Sequence, residues 1–227
     1  MNRITIVHLA ATLLLAISTV RSSAQHPADD RLLQEVVILG GKHKQRSITN
    51  RGARIPGTVS MLTPDKVGYE VGSALSIKHP FEAQEIEFDI IANSIKGVTL
   101  QIEIYRDSTF TAVLPQPILV DIPEGKKKTI AAVLTKRTLL EPGDYIIGVT
   151  FVSCDAETLQ QWIHHEQWDA KTRYEMMKQN IEFPLYLKAG YIRSSTTDAF
   201  ERYTANIGLR IKGSRQKELL TCTLLQQ

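Results

Sequence analysis

An all-β fold, an antiparallel two-sheet sandwich of jelly-roll-like type carrying one helical insertion, is what the sequence predicts, and three observations predict it. From Tyr69 onward apolar and polar residues alternate with a period of two, which places successive side chains on opposite faces of a strand. Turn signals at Asn93, Pro123-Glu124-Gly125 and Glu141-Pro142-Gly143-Asp144 separate the alternating runs. One stretch, 156–180, changes to helical spacing, and no glycine-rich strand-to-helix turn of a parallel α/β sheet breaks up the remainder.

The N-terminus reads as a secretory signal. Arg3 stands beside the terminal amine, an uncharged run extends from Ile4 to Val20, and Ser22-Ser23-Ala24 forms a small-residue exit. A spanning helix needs about 20 mostly apolar residues, and this run is shorter and interrupted by Thr5, His8, Thr12 and Ser18. The expectation is therefore a signal peptide over 1–24, with cleavage after Ala24 leaving Gln25 first. No cysteine lies near the exit to be lipidated. An exported product would reside in the periplasm, on the outer membrane surface or outside the cell, with no transmembrane segment in its mature chain.

Residues 25–66 read as a linker, with a short β-prone segment at 35–39, Glu35-Val36-Val37-Ile38-Leu39. The basic stretch Lys42-His43-Lys44-Gln45-Arg46 and a Gly- and Pro-punctuated segment follow it. The sandwich is expected over 67–213 and a tail over 214–227. In the sandwich, Ile86, Phe88 and Ile90 share a face opposite Glu85, Glu87 and Asp89. Val98, Leu100, Ile102 and Ile104 repeat that pattern against Thr99, Gln101, Glu103 and Tyr105. Further runs at Ile118–Ile122, Thr129–Leu134, Tyr145–Val152, Phe183–Ile192 and Ile207–Lys212, with Tyr69–Ile77, bring the count to about eight strands. The alternation puts Phe88, Leu100, Ile102, Tyr145, Val149, Leu185 and Ile207 in the core.

Asp155 and Asp169 are cap candidates for a helix or helical pair over 156–180, in which Leu159, Trp162 and Ile163 share one face and Tyr174 and Met177 another. Cys154 and Cys222 are the only cysteines. They are equally compatible with a bridge and with two unpaired thiols, and about 200 residues need no staple to fold.

Composition excludes one partner class. The chain has 27 basic and 24 acidic side chains, and Arg3 and Arg21 are the only charges of the signal segment, so the mature balance is near neutral. That is no footprint for nucleic acid. Candidate chemistry is sparse. Glu85, Glu87, Asp89 and Glu103 place carboxylates on what reads as one sheet surface, and strand neighbours two apart lie about 6.6 Å from each other, in the range of glycosidase pairs. Alternating acids are also what any wet sheet face carries, and that is the preferred reading. His164-His165-Glu166 with Asp169 lacks the second histidine of a zinc-protease turn, and Gly68-Tyr69-Glu70-Val71-Gly72-Ser73 lacks the lysine of a phosphate loop. No metal, cofactor or catalytic residue is expected. Trp162, Trp168 and Tyr174 are the candidate ligand or partner contacts, because aromatic rings bring large contact area at low entropic cost, but seating the insertion on the sandwich is the preferred reading, since Trp162 shares a helical face with Leu159.

Three stretches carry a resemblance: Leu33-Gln34-Glu35-Val36-Val37-Ile38; Gly68-Tyr69-Glu70-Val71-Gly72-Ser73 with Lys78-His79-Pro80-Phe81; and Phe183-Pro184-Leu185-Tyr186-Leu187-Lys188 with Asn206-Ile207-Gly208. Together they resemble the C-terminal β region of exported Gram-negative carboxypeptidase-like regulatory domain-containing proteins, over roughly 33–213. The resemblance implies an envelope location. It implies no peptidase activity, since the small regulatory β-sandwich that usually precedes the Glu-Val-Val run is absent here. That run also resembles the strand that TonB-dependent receptors offer to their energising partner, and an inherited linker is the preferred reading of it. The function expected is a non-catalytic envelope module binding a glycan or an envelope protein. An enzyme using the sheet carboxylates on a surface polysaccharide is the alternative.

Overall fold

The computed structural model describes residues 45–107 and 109–215. The signal segment, the 35–39 run and Cys222 lie outside the described residues. Twelve strands form one hydrogen-bonded antiparallel sheet folded into two layers. They are β1 (Arg46–Thr49), β2 (Ala53–Leu62), β3 (Glu70–Ile77), β4 (Phe81–Asn93), β5 (Val98–Arg106), β6 (Thr111–Ala112), β7 (Ile118–Ile122), β8 (Gly125–Leu140), β9 (Gly143–Ser153), β10 (Ile181–Arg193), β11 (Glu201–Asn206) and β12 (Arg210–Arg215).

One layer runs β1-β12-β4-β8, and the other places β3 and β9 between β10 and β5, with β6 and β7 on the outer side of β5. β10 belongs to both. Its first residues pair with Ala92 and Asn93 of β4, and its last four pair with Glu70–Ser73 of β3. A register shift between Leu187 and Gly190 marks the passage from one to the other, the kind of irregularity by which a strand changes sheet.

Between the layers the inward faces of β4, β5, β9 and β12 make one core. Phe88, Leu100, Ile102, Ile104, Val149, Phe151, Phe183 and Ile211 are wholly buried in it, and Tyr145 and Ile207 nearly so. Each such side chain stabilises the fold by about 1.5–3 kcal/mol. Phe88 of β4 meets Phe183 of β10 at a ring separation of 6.2 Å.

Two expectations need correction. Leu185 is only half-buried, and Phe183 fills the core position instead. The register shift between Pro184 and Tyr186 explains it, because one extra residue in a strand turns the following side chains to the other face. The segment 46–62, read as linker, is part of the sandwich. β1 pairs β12 and β2 pairs β10, with Gly57 at φ +70° inside β2. At the turn between these strands Asn50 donates from Nδ2 to the Ala74 carbonyl at 2.7 Å and accepts from the Leu209 amide at 3.1 Å, so it ties the turn to both layers. The far boundary also moves, since β12 continues through Ser214 and Arg215.

Between β9 and β10 stand two short helices, α1 (Ala156–Trp162) and α2 (Ala170–Met176), with a 3-10 turn at His165–Gln167. Asp155 caps α1 by accepting from the Thr158 amide at 3.0 Å, and Asp169 caps α2 by accepting from the Thr172 amide at 2.6 Å. Both ends of the insertion are sewn to the β4–β5 connection. The Asp155 amide donates to the Lys96 carbonyl at 3.0 Å, and Ser94 Oγ accepts from the Asn180 amide at 2.9 Å while donating to the Lys178 carbonyl at 2.5 Å. Among the described residues no helix is long and apolar enough to cross a membrane.

A candidate ligand groove beneath the helical insertion

The insertion rests against the 3-10 turn Pro64–Lys66, and between them lies a groove of about 420 Å³. Thr63, Asp65 and Lys66 form one wall. Trp162, His165, Glu166, Trp168, Arg173 and Met177 form the other. The volume falls in the range of small-molecule sites.

Trp162 is buried, on the face of α1 that it shares with Leu159, and its indole N–H donates to Gln179 Oε1 at 2.9 Å. Trp168, half-buried where the 3-10 turn gives way to α2, packs edge-on against Trp162 with ring centres 4.9 Å apart. The Trp162 carbonyl accepts from His165 Nδ1 at 2.9 Å, so a neutral ring keeps its proton there and Nε2 retains an acceptor lone pair. On the opposite wall Asp65 is engaged by the Thr63 hydroxyl at 2.5 Å and by Lys66 at 3.3 Å. The Glu166 carboxylate and the Arg173 guanidinium make no hydrogen bond or ion pair with any described residue, leaving an anion and a cation beside the two indoles.

Of the three aromatic candidates the structure brings together two. Tyr174 is 68% exposed and does not line the groove; Lys178 Nζ sits 5.1 Å from its ring centre. The groove residues that the sequence reading missed, Thr63, Asp65, Lys66, Arg173 and Met177, come largely from the supposed linker and from the polar face of α2, where charged residues carry no local signal.

The carboxylates read as one wet sheet surface are neither all wet nor on one surface. β4 and β5 lie in different layers, so Glu103 is separated from Glu85, Glu87 and Asp89 by the core. On β4 the acids meet the basic strand β12. Lys212 binds Glu85 at 3.0 Å and also Glu87, and Arg210 binds Glu87 at 3.2 Å. Arg51 binds Asp89 at 2.7 Å. Burial works to raise the Glu87 carboxyl, but the Lys212 hydrogen bond and the charges of Arg210 and Lys212 outweigh it and hold it below its ordinary value. His165 turns into the groove while Asp169 serves as the α2 cap, and no group of three His, Cys, Asp or Glu among the described residues could hold a metal ion. Cys154, at the end of β9, is buried, which pushes its thiol up.

A second polar cluster lies on the outer face of the layer containing β3 and β9. Glu70 is wholly buried there. Its Oε2 accepts from Arg193 Nε at 2.7 Å and pairs with Nη2 at 2.5 Å, while Oε1 has no hydrogen-bond partner. Arg193 Nη2 also donates to the Tyr105 hydroxyl at 2.9 Å. Glu103, 6% exposed, folds back to accept from the Ile104 amide at 3.1 Å. The sequence signal of Glu70 is an acid flanked by Gly68 and Gly72 at the head of β3.

No protein-family model matches the chain, and no curated protein matches it.

Proposed function

We propose that the chain is an exported, non-catalytic binding module of the cell envelope, and that the groove beneath the helical insertion takes a saccharide. The observation that carries this reading is the pair of indoles, Trp162 and Trp168, set beside the Glu166 carboxylate and the Arg173 guanidinium, neither paired with a described residue, and the Nε2 of His165. Sugar rings offer an apolar face that packs on aromatic rings, and vicinal hydroxyls that bind donors and acceptors lying in one plane. A rigid β-scaffold presenting its recognition residues on an irregular addition is the usual division of labour in binding proteins. Export rests on the N-terminal signal pattern, and envelope location on the resemblance to regulatory-domain-containing exported proteins.

The enzymatic alternative draws less support. Its four carboxylates are divided between two layers, and the three on β4 are each paired with a cation of a neighbouring strand or turn. Intrinsic tryptophan fluorescence on titration with envelope polysaccharides tests the binding reading, since both tryptophans lie at the groove. Trp168→Ala is expected to fold and to lose at least about tenfold in affinity. Unchanged affinity in a folded Trp168→Ala variant, or saccharide turnover by the wild type, would overturn the proposal.

A further inference from the structure

Glu70, Glu103 and Arg193 place two carboxyl groups and one guanidinium in a largely buried site, with Glu70 wholly buried, Glu103 6% exposed and the Arg193 side chain 11% exposed. Residue positions across the layer explain why the groups meet. Glu70 of β3 stands opposite Thr150 of β9 and Arg193 of β10, and Glu103 of β5 stands opposite Gly148 of β9. Gly148 has no side chain, and the Glu70 carboxyl leans over it toward β5: a Cβ there would collide with Glu70 Oε1 and would press on the Tyr105 ring. Among the described residues the only cation against the pair is Arg193, and both of its contacts with the pair go to Glu70 Oε2. Tyr105 from β5 and Thr150 from β9 complete the surroundings of Glu70. Tyr191 from β10 is turned away to donate to Asp107 at 2.9 Å.

Over this cluster lies the segment 194–200, which joins β10 to β11. The Thr196 carbonyl accepts from Arg193 Nη1 at 3.0 Å. The Phe200 ring lies 4.3 Å from the Arg193 guanidinium and 5.6 Å from the Tyr105 ring, and it stacks on Phe110 at 5.3 Å. Its only charged residue, Asp198, is exposed. The segment is thus held by Arg193 together with the rings of Tyr105, Phe110 and Tyr191.

We propose that the Glu70–Glu103 pair shares one proton, and that this proton latches the 194–200 segment over the outer face, loss of the proton releasing it. With both carboxyls ionised the site would hold one negative charge more than its guanidinium balances. An unbalanced charge in a dry site either takes a proton or draws in water. Phe200 covers the guanidinium and the Tyr105 ring, so hydrating the ionised pair displaces it, and the ionised form is the one in which the segment opens. Burial raises both carboxyls above their ordinary values, with Arg193 opposing it at Glu70 and the Glu70 charge adding to it at Glu103. Burial also raises the Tyr105 hydroxyl, which stays neutral through the same range.

Side-chain carboxyl carbon spectra of the full chain, followed from acid to alkaline pH, read the proton directly. Amide exchange of 194–200 over the same range reads the latch. One of the two carboxyls is expected to titrate above the ordinary glutamate value near 4.3, and exchange of 194–200 to rise about tenfold beyond its intrinsic base catalysis as that carboxyl ionises. Glu103→Gln removes the excess charge and leaves the Glu70–Arg193 pair, so the segment should stay protected at alkaline pH. Titration of both wild-type carboxyls in the ordinary range overturns the proposal. So does exchange that ignores their ionisation, or a Glu103→Gln variant with the wild-type profile. Should that variant fail to fold, the wild-type carboxyl spectra alone decide the proton.

Discussion

Asn50 shows how much a single side chain carries in this sandwich. It is 1% exposed, it donates to a β3 carbonyl, and it accepts from the Leu209 amide just before β12, so one carboxamide satisfies backbone groups of both layers. Replacing it strands a buried acceptor and a buried donor, each costly in the absence of water. Asn50→Ala is expected to lower the unfolding free energy by about 2 kcal/mol or more, read from the denaturant midpoint, with little change in strand content. Asn93 and Asn206 act in the same way at two other turns, bonding to Ile122 and Ala189 carbonyls and capping the amides of Ile95 and Gly208. In the sequence these asparagines read only as turn residues. Apart from the amides two positions on, their partners are 17 to 159 positions away, and nothing local announces those.

Among the elements, the helical insertion is held less by its own helices than by the stitching at its ends. Each helix has seven residues, too short to be stable alone. The Ser94 hydroxyl bonds to Lys178 and Asn180 at the return to β10. Ser94→Ala should therefore loosen the insertion selectively. Amide exchange over 170–180 is expected to accelerate while the strands of the sandwich keep their protection, and a global loss of protection would show that the insertion is integral to the core. Both caps of this element were legible in sequence because capping is decided within three residues, as at Asp155 with Thr158 and Asp169 with Thr172. Partner strands were not. Alternation told that Glu87 and Glu103 oppose the core, but only topology puts them in different layers and under cover. The bulge near Pro184 that displaces Leu185 leaves no mark in the period. β2 escaped notice because Pro56 and Gly57 interrupt it, as a strand paired on one side tolerates.

For the whole molecule, pH acts through buried acids in opposite directions. Glu70 and Glu103 have raised values in the folded protein, so folding binds protons and their contribution is fully present below the ordinary glutamate range. It is lost as pH rises through the raised values. Glu87 is lowered, so its contribution is present above the ordinary range and lost as pH falls through the lowered value. Thermal unfolding should then show stability falling as pH rises through the raised Glu70 and Glu103 values, and Glu103→Gln should flatten that decline. A stability that climbs steadily from pH 6 to pH 9 would contradict the assignment of the buried acids.

The sharing of β10 between the layers has a consequence for how the chain comes together. Among the described residues β2 pairs only with β10, β1 only with β12, and β3 has one flank open until β10 arrives. The first strands made are thus completed by the last, and pairing across such sequence separations is slow. A chain growing from its N-terminus carries these strands unmatched until residues near 193 and 215 have emerged. On the export reading this delay is useful: a polypeptide that cannot close early arrives at a translocation channel still threadable, and its fold is sealed on the far side by the segment that crosses last.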